Sequence, residues 1–194
     1  MKSLRVLGNE IVLGTLIAVL SVFTAVASYQ GSIADSKQNE NEVKAMQSLN
    51  DGNAEYLTAN QFIVYDYTMF DGWYTADTAD KEEYYQASYS EELQTALAAD
   101  PENPFSEEYY DSMYASANEF WAVSDEAFEK AGQWDNRGDG LQLVMLLMAL
   151  GLAFAAWASL LDDKSNMRVL FAALAVVTMI VGLWFYTAVP VVAV

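Results

Sequence analysis

Residues 141–161 read LQLVMLLMALGLAFAAWASLL, twenty-one positions without a charge. At 1.5 Å per residue such a run reaches about 31 Å as an α-helix, enough to cross the hydrocarbon core of a bilayer. A second uncharged run of the same length, VLFAALAVVTMIVGLWFYTAV, fills 169–189, with Pro190 just beyond it. Only Asp162-Asp163-Lys164-Ser165-Asn166-Met167-Arg168 separates the two, so residues 140–194 are predicted to form a transmembrane helical hairpin.

Working outward, residues 11–27 (IVLGTLIAVLSVFTAVA) supply a third, shorter span of about 25 Å. Lys2 and Arg5 precede it and Ala25-Val26-Ala27 resembles a cleavage site, so a secretory signal peptide is the rival reading. The expectation is a retained signal anchor over residues 1–28, with its amino terminus in the cytoplasm. Orientation follows lysines and arginines in short flanking loops. Lys2, Arg5, Lys164 and Arg168 all fall on one side of a three-span chain, which places residues 29–139 and the carboxyl terminus outside the cytoplasm.

Between the first two spans, Tyr29 to Asp139 holds 24 of the 27 acidic residues and five of the nine basic ones, a formal charge of −19. The hydrophobic content of 54% and the charge are therefore segregated along the chain, as in a membrane protein with one water-facing module. From Tyr29 to about Phe70 the sequence lacks proline and sets Val43, Met46, Leu49, Leu57 and Val64 at helical spacings, predicting an amphipathic helix continuous with the first span. Gly52 and Gly72 weaken it by about 1 kcal/mol each, and a break is expected near either one. Asp80 to Ala99 reads as one shorter helix. Asp100-Pro101-Glu102-Asn103-Pro104 is a turn, and Ser106 with Glu107 and Glu108 starts a helix returning to the membrane. The expected fold is an all-α membrane protein: three transmembrane helices and an antiparallel helical-hairpin module.

Eleven of the twelve tyrosines lie in the module, with Trp73, Trp121 and Trp134. Most are expected to pack inward with wet hydroxyls. Tyr84, Tyr85 and Tyr89, on the short helix, are the candidates for partner contact. In the second span Gly151, Ala155 and Ser159 recur every four residues, a small-residue stripe for helix packing, against the third span or another protomer.

The chain has no cysteine and no histidine, which removes thiolate chemistry and the commonest general base and transition-metal ligand. Asp135-Asn136-Arg137-Gly138-Asp139-Gly140 has the wrong third and twelfth residues for an EF-hand, and its Arg-Gly-Asp tripeptide reads as a polar collar at the membrane. The acid pairs Glu82-Glu83, Glu91-Glu92 and Glu107-Glu108 read as solvated faces, since adjacent helical residues diverge. No cofactor, metal or catalytic residue is expected. The charge favours diffuse cations and disfavours nucleic acid and anionic headgroups. Two functions follow. One is a non-enzymatic structural or accessory subunit, embedded in membrane lipid and self-associating or docked on other membrane-protein subunits. The other is an oligomeric cation channel or transporter subunit with Asp135 and Asp139 as an acidic vestibule and Thr15, Ser21 and Thr24 lining the pore.

The layout carries a resemblance. The single amino-terminal span, the acidic tyrosine-bearing module, Asp135 to Asp139 leading straight into the second span, Arg168-Val169-Leu170 opening the third, and Asn103-Pro104-Phe105 followed by Tyr109 and Tyr110 together resemble a group of uncharacterised bacterial three-span membrane proteins. The resemblance implies an inner-membrane protein whose module and second span share one uninterrupted helix. It implies no activity and transfers no functional residues.

Overall fold

The computed structural model describes residues 4–192; Lys2 and the Arg5 side chain, read above as orientation signals, lie outside the described residues. A short 3-10 helix over Leu4–Gly8 precedes five α-helices: α1 (Glu10–Tyr74), α2 (Ala79–Gln86), α3 (Glu91–Ala99), α4 (Glu107–Leu160) and α5 (Asn166–Ala188). No strand occurs among the described residues. Three of these helices, α1, α4 and α5, are long and apolar enough to cross a membrane.

Two compact units result. The first joins residues up to Asn41 with those from Glu129 onward, and the second spans Glu42–Phe128, so α1 and α4 each contribute to both. α1 runs through Gly52 and ends two residues after Gly72, the second of the two positions at which a break is expected. Among the described residues none, glycine included, has a positive φ. These glycines therefore serve close approach rather than backbone freedom: a Cβ on Gly52 would meet the Trp121 ring at 2.5 Å, and one on Gly72 the Tyr85 ring at 2.4 Å.

In the first unit the buried positions of α4 are Leu141, Val144, Met148, Gly151, Ala155 and Ala158, an alternation of threes and fours that holds one face toward α1 and α5. They meet Leu13, Leu16, Leu20 and Ala27 of α1 and Ala172 and Ala175 of α5. The outward residues are also apolar, including Leu146, Ile180 and Trp184, as a hydrocarbon surround requires. Of the small-residue stripe, Gly151 and Ala155 lie in this internal seam, where a Cβ on Gly151 would strike Thr178 Oγ1 at 2.6 Å and Leu20 at 3.1 Å. Ser159 is exposed and donates to its own helix at Ala156; Ala158 takes the buried place instead.

Arg168 ties the turn between α4 and α5 to the start of α1. It is 4% exposed, and its Nε donates to the Gly8 carbonyl at 2.7 Å while Nη1 donates to the Leu161 carbonyl at 2.8 Å and pairs with Asp163 at 2.5 Å. At the other end Arg137 Nη1 donates to the Pro190 carbonyl at 2.7 Å, and Gln30 Nε2 donates to the Tyr186 hydroxyl at 3.0 Å.

In the second unit α1 and α4 pair in opposite order: Ala45 with Ser124, Gly52 with Trp121, Asn60 with Tyr114, Asp66 with Tyr109. On α1 the seam is Ala45, Gly52, Ala59 and Asp66, buried residues seven apart. Small side chains at this spacing let the two backbones close up. The amphipathic reading chose the other side. Val43, Met46, Leu57 and Val64 are 54%, 58%, 61% and 65% exposed. The stretch Asp80 to Ala99 is also two helices rather than one. Ser90 interrupts it by capping α3, its Oγ accepting from the Leu93 N–H at 3.0 Å.

Candidate functional site

The residues of the second unit that converge most closely surround Asp66, a carboxylate with no exposed surface. A buried charge persists only where donors replace its water. Three do so here. The Ser90 backbone N–H donates to Oδ1 at 2.9 Å, the Ser90 hydroxyl to Oδ2 at 2.5 Å, and the Tyr109 phenol to Oδ2 at 2.8 Å. α1 thus supplies the acceptor, the start of α3 two donors, and the first turn of α4 the third.

Aromatic rings close the site. Tyr89, Leu93 and Tyr109 form its buried core with Ile63, and Phe70, Trp73 and Phe105 pack around them. Phe105 meets Tyr109 edge-on at 5.3 Å and Phe70 edge-on at 5.4 Å. Burial, and then the bond to the Asp66 carboxylate, push the Tyr109 phenol far above the ordinary phenol range. Burial pushes Tyr89 up to about 12, with the Asp66 charge adding to it. Both phenols therefore stay protonated at neutral pH, which suits a donor and not a nucleophile. The Ser90 hydroxyl is spent twice, donating to Asp66 and accepting from Leu93. The arrangement is a joint that fixes three helices to one another.

Beside this joint a groove of about 380 Å³ is lined by Glu55, Ser90, Glu91, Glu92, Ser112 and Ser116, among others. Among the described residues no three carboxylates gather in a way that could hold a metal ion.

The sequence-based candidates fall in different settings. Tyr84 is exposed, and its ring meets Tyr85 edge-on at 5.5 Å. Tyr85 is half-buried over Gly72, and Tyr89 is buried in the core beside Asp66. Asp135 and Asp139 are exposed on α4, and Arg137 between them reaches Pro190. Thr15, Ser21 and Thr24 each donate to the carbonyl four residues back in their own helix, at Ile11, Ile17 and Leu20. Of the joint's residues the sequence offers Tyr109 only through the resemblance, and neither Asp66 nor Ser90. Ser90-Glu91-Glu92 carries the same helix-start signature as Ser106-Glu107-Glu108, and that was the available signal. No family model, no curated protein and no solved structure matches this chain.

Proposed function

We propose that the chain is a non-enzymatic structural or accessory membrane protein that works by contact. Its module, which we read as an antiparallel helical hairpin standing outside the cytoplasm, presents the surface. The observation that carries this reading is the exposed apolar side of α1 in the second unit, where Val43, Met46, Leu57 and Val64 lie more than half exposed. Isolated exposed apolar residues are ordinary, but four at helical spacing on a strongly acidic module mark an interaction surface. Two of the three small residues of the second span are consumed within the first unit, so the proposal places association on the module and not on that stripe.

The placement in a bacterial inner membrane, with the amino terminus cytoplasmic and the carboxyl terminus outside, belongs to the same proposal. Lys164 and Arg168 between the last two spans support it through the positive-inside rule, as do Lys2 and Arg5. The occupant of the apolar side is a second copy or another membrane-protein subunit, and one measurement separates them. Purified in mild detergent, the wild-type chain is expected to run as an assembly larger than one protein chain, with or without a second species. Leu57→Glu with Val64→Glu is expected to release the single chain without loss of helicity. A lone wild-type chain with no companion at every concentration would overturn the proposal.

A further inference from the structure

We propose that Tyr67 and Tyr110 form an oxidative cross-linking site, at which a peroxide-driven one-electron oxidant joins α1 to α4 through a carbon–carbon dityrosine bond. The two phenolic oxygens lie 2.5 Å apart across the two helices of the second unit. Both rings are held. Tyr67 stacks on Phe105 with centroids 4.1 Å apart and planes 15° from parallel, and Tyr110 sits edge-on to Tyr109 at 5.3 Å. The carbons ortho to each hydroxyl, where a phenoxyl radical carries spin density, are two bonds from these touching oxygens. Coupling requires the rings to turn until an ortho pair meets.

The neighbouring phenols make other contacts, and Tyr56 stacks on Tyr114 with centroids 5.2 Å apart. Tyr109 donates to buried Asp66, and Tyr114 donates to Asn60 Oδ1 at 3.0 Å. Tyr84 and Tyr85 meet edge-on but are adjacent in the chain, so joining them would staple nothing. Tyr67 is exposed and Tyr110 half-buried, so an oxidant in solution reaches the pair directly. The bond between them also holds the Tyr110 phenol above its ordinary value.

The step balances. Each phenol gives up one electron and its hydroxyl proton, the two radicals couple at ortho carbons, and each coupled carbon's ring hydrogen moves to the oxygen to restore the phenol. One hydrogen peroxide accepts the two electrons and two protons, its O–O bond breaks, and two waters leave. In a chain without cysteine this is a route to a covalent staple. It closes a loop between residues 43 apart, which stabilises chiefly by restricting the unfolded chain, as a disulfide does.

The test treats the full-length protein in detergent with a haem peroxidase and hydrogen peroxide, then reads dityrosine fluorescence and maps the joined peptides by mass. The expected product is a Tyr67–Tyr110 pair lighter by two hydrogens, within one chain, at a yield independent of protein concentration. Tyr67→Phe and Tyr110→Phe are each expected to lower intrachain dityrosine at least tenfold, while Tyr56→Phe leaves it within twofold. A map that joins any other pair, or joins only residues of different chains, overturns the proposal whatever the variants do. So does fluorescence undiminished in either of the first two variants.

Discussion

Replacing Gly52 by alanine tests whether small residues set the distance between α1 and α4. In an unconstrained helix the change stabilises by about 1 kcal/mol, because glycine carries more backbone entropy into the folded state. Here the new methyl would lie 2.5 Å from Trp121 Cδ1, 2.7 Å from its Nε1 and 3.2 Å from the Ala117 carbonyl oxygen. The indole cannot swing freely, since Tyr56 packs against it with centroids 5.7 Å apart. Overpacking of this kind costs about 1–3 kcal/mol, so the net effect is a loss of up to about 2 kcal/mol. Removing the ring reverses the sign. In a Trp121→Leu background only the Ala117 carbonyl remains close, and Gly52→Ala is expected to gain up to about 1 kcal/mol. The coupling between the two sites is then about 1–3 kcal/mol, the size seen for residues in direct contact. Thermal unfolding in detergent, followed by circular dichroism, resolves this, because 1 kcal/mol shifts Tm by about 2–4 °C in a chain of this size. Equal effects of Gly52→Ala in both backgrounds, or a gain in the wild type, would refute the packing argument.

Asp66→Asn places an amide N–H₂ against donors and should destabilise the second unit by about 2–3 kcal/mol in the same assay, whereas Tyr109→Phe, which removes one of three donors, should cost about 1–3 kcal/mol. Alkaline pH acts on the same joint. The raised phenols of Tyr89 and Tyr109 keep their protons in the folded state when the unfolded chain, titrating near 10, has released them. Their stabilisation is thus complete below pH 10 and is lost as pH rises, for Tyr89 between 10 and about 12, with a slope of up to about 1.4 kcal/mol per pH unit for each group. Denaturant midpoints measured across that range should fall less steeply in Tyr89→Phe. In the first unit Arg168→Lys gives up the forked geometry and with it the bond to Gly8 or Leu161, a loss of about 2 kcal/mol that faster amide exchange over residues 6–10 would register. Gly151→Leu should cost at least about 1–3 kcal/mol against Thr178 and Leu20, while exposed Ser159→Leu stays within about 0.5 kcal/mol.

The three long apolar helices were readable because an uncharged run of about twenty residues has few ways to satisfy its backbone, and a helix across a bilayer is the chief one. The start of α4 was readable for a local reason, a serine followed by two acids after a proline turn. The same signature at Ser90 is masked by Leu93 and Leu97, which also fit a helix begun at Asp80, and periodicity alone cannot reveal a break that a distant carboxylate holds in place. Asp66 accepts the Ser90 backbone N–H from 24 residues away, and no local pattern encodes that bond. The joint itself was therefore illegible, although its members were all in view.

Apolar spacing points to the wrong side of α1 for a reason that applies beyond this helix. Spacing of large apolar residues finds the buried face where neighbouring side chains interdigitate and the area they remove from water dominates. Between two long helices pressed close together, the seam selects instead for what is absent. Ala45, Gly52, Ala59 and Asp66 fall seven apart, and Ala117 and Ser124 repeat the interval on α4. Ser124 even reaches the Ala45 carbonyl at 2.9 Å, a contact that a larger residue at either position would prevent. A line of small residues at heptad spacing was the signal for the seam, and it left Val43, Met46, Leu57 and Val64 on the opposite side. Those four are then not the interior of the module but its outward apolar face. The same residues that looked like core in the sequence thereby become the argument for a partner.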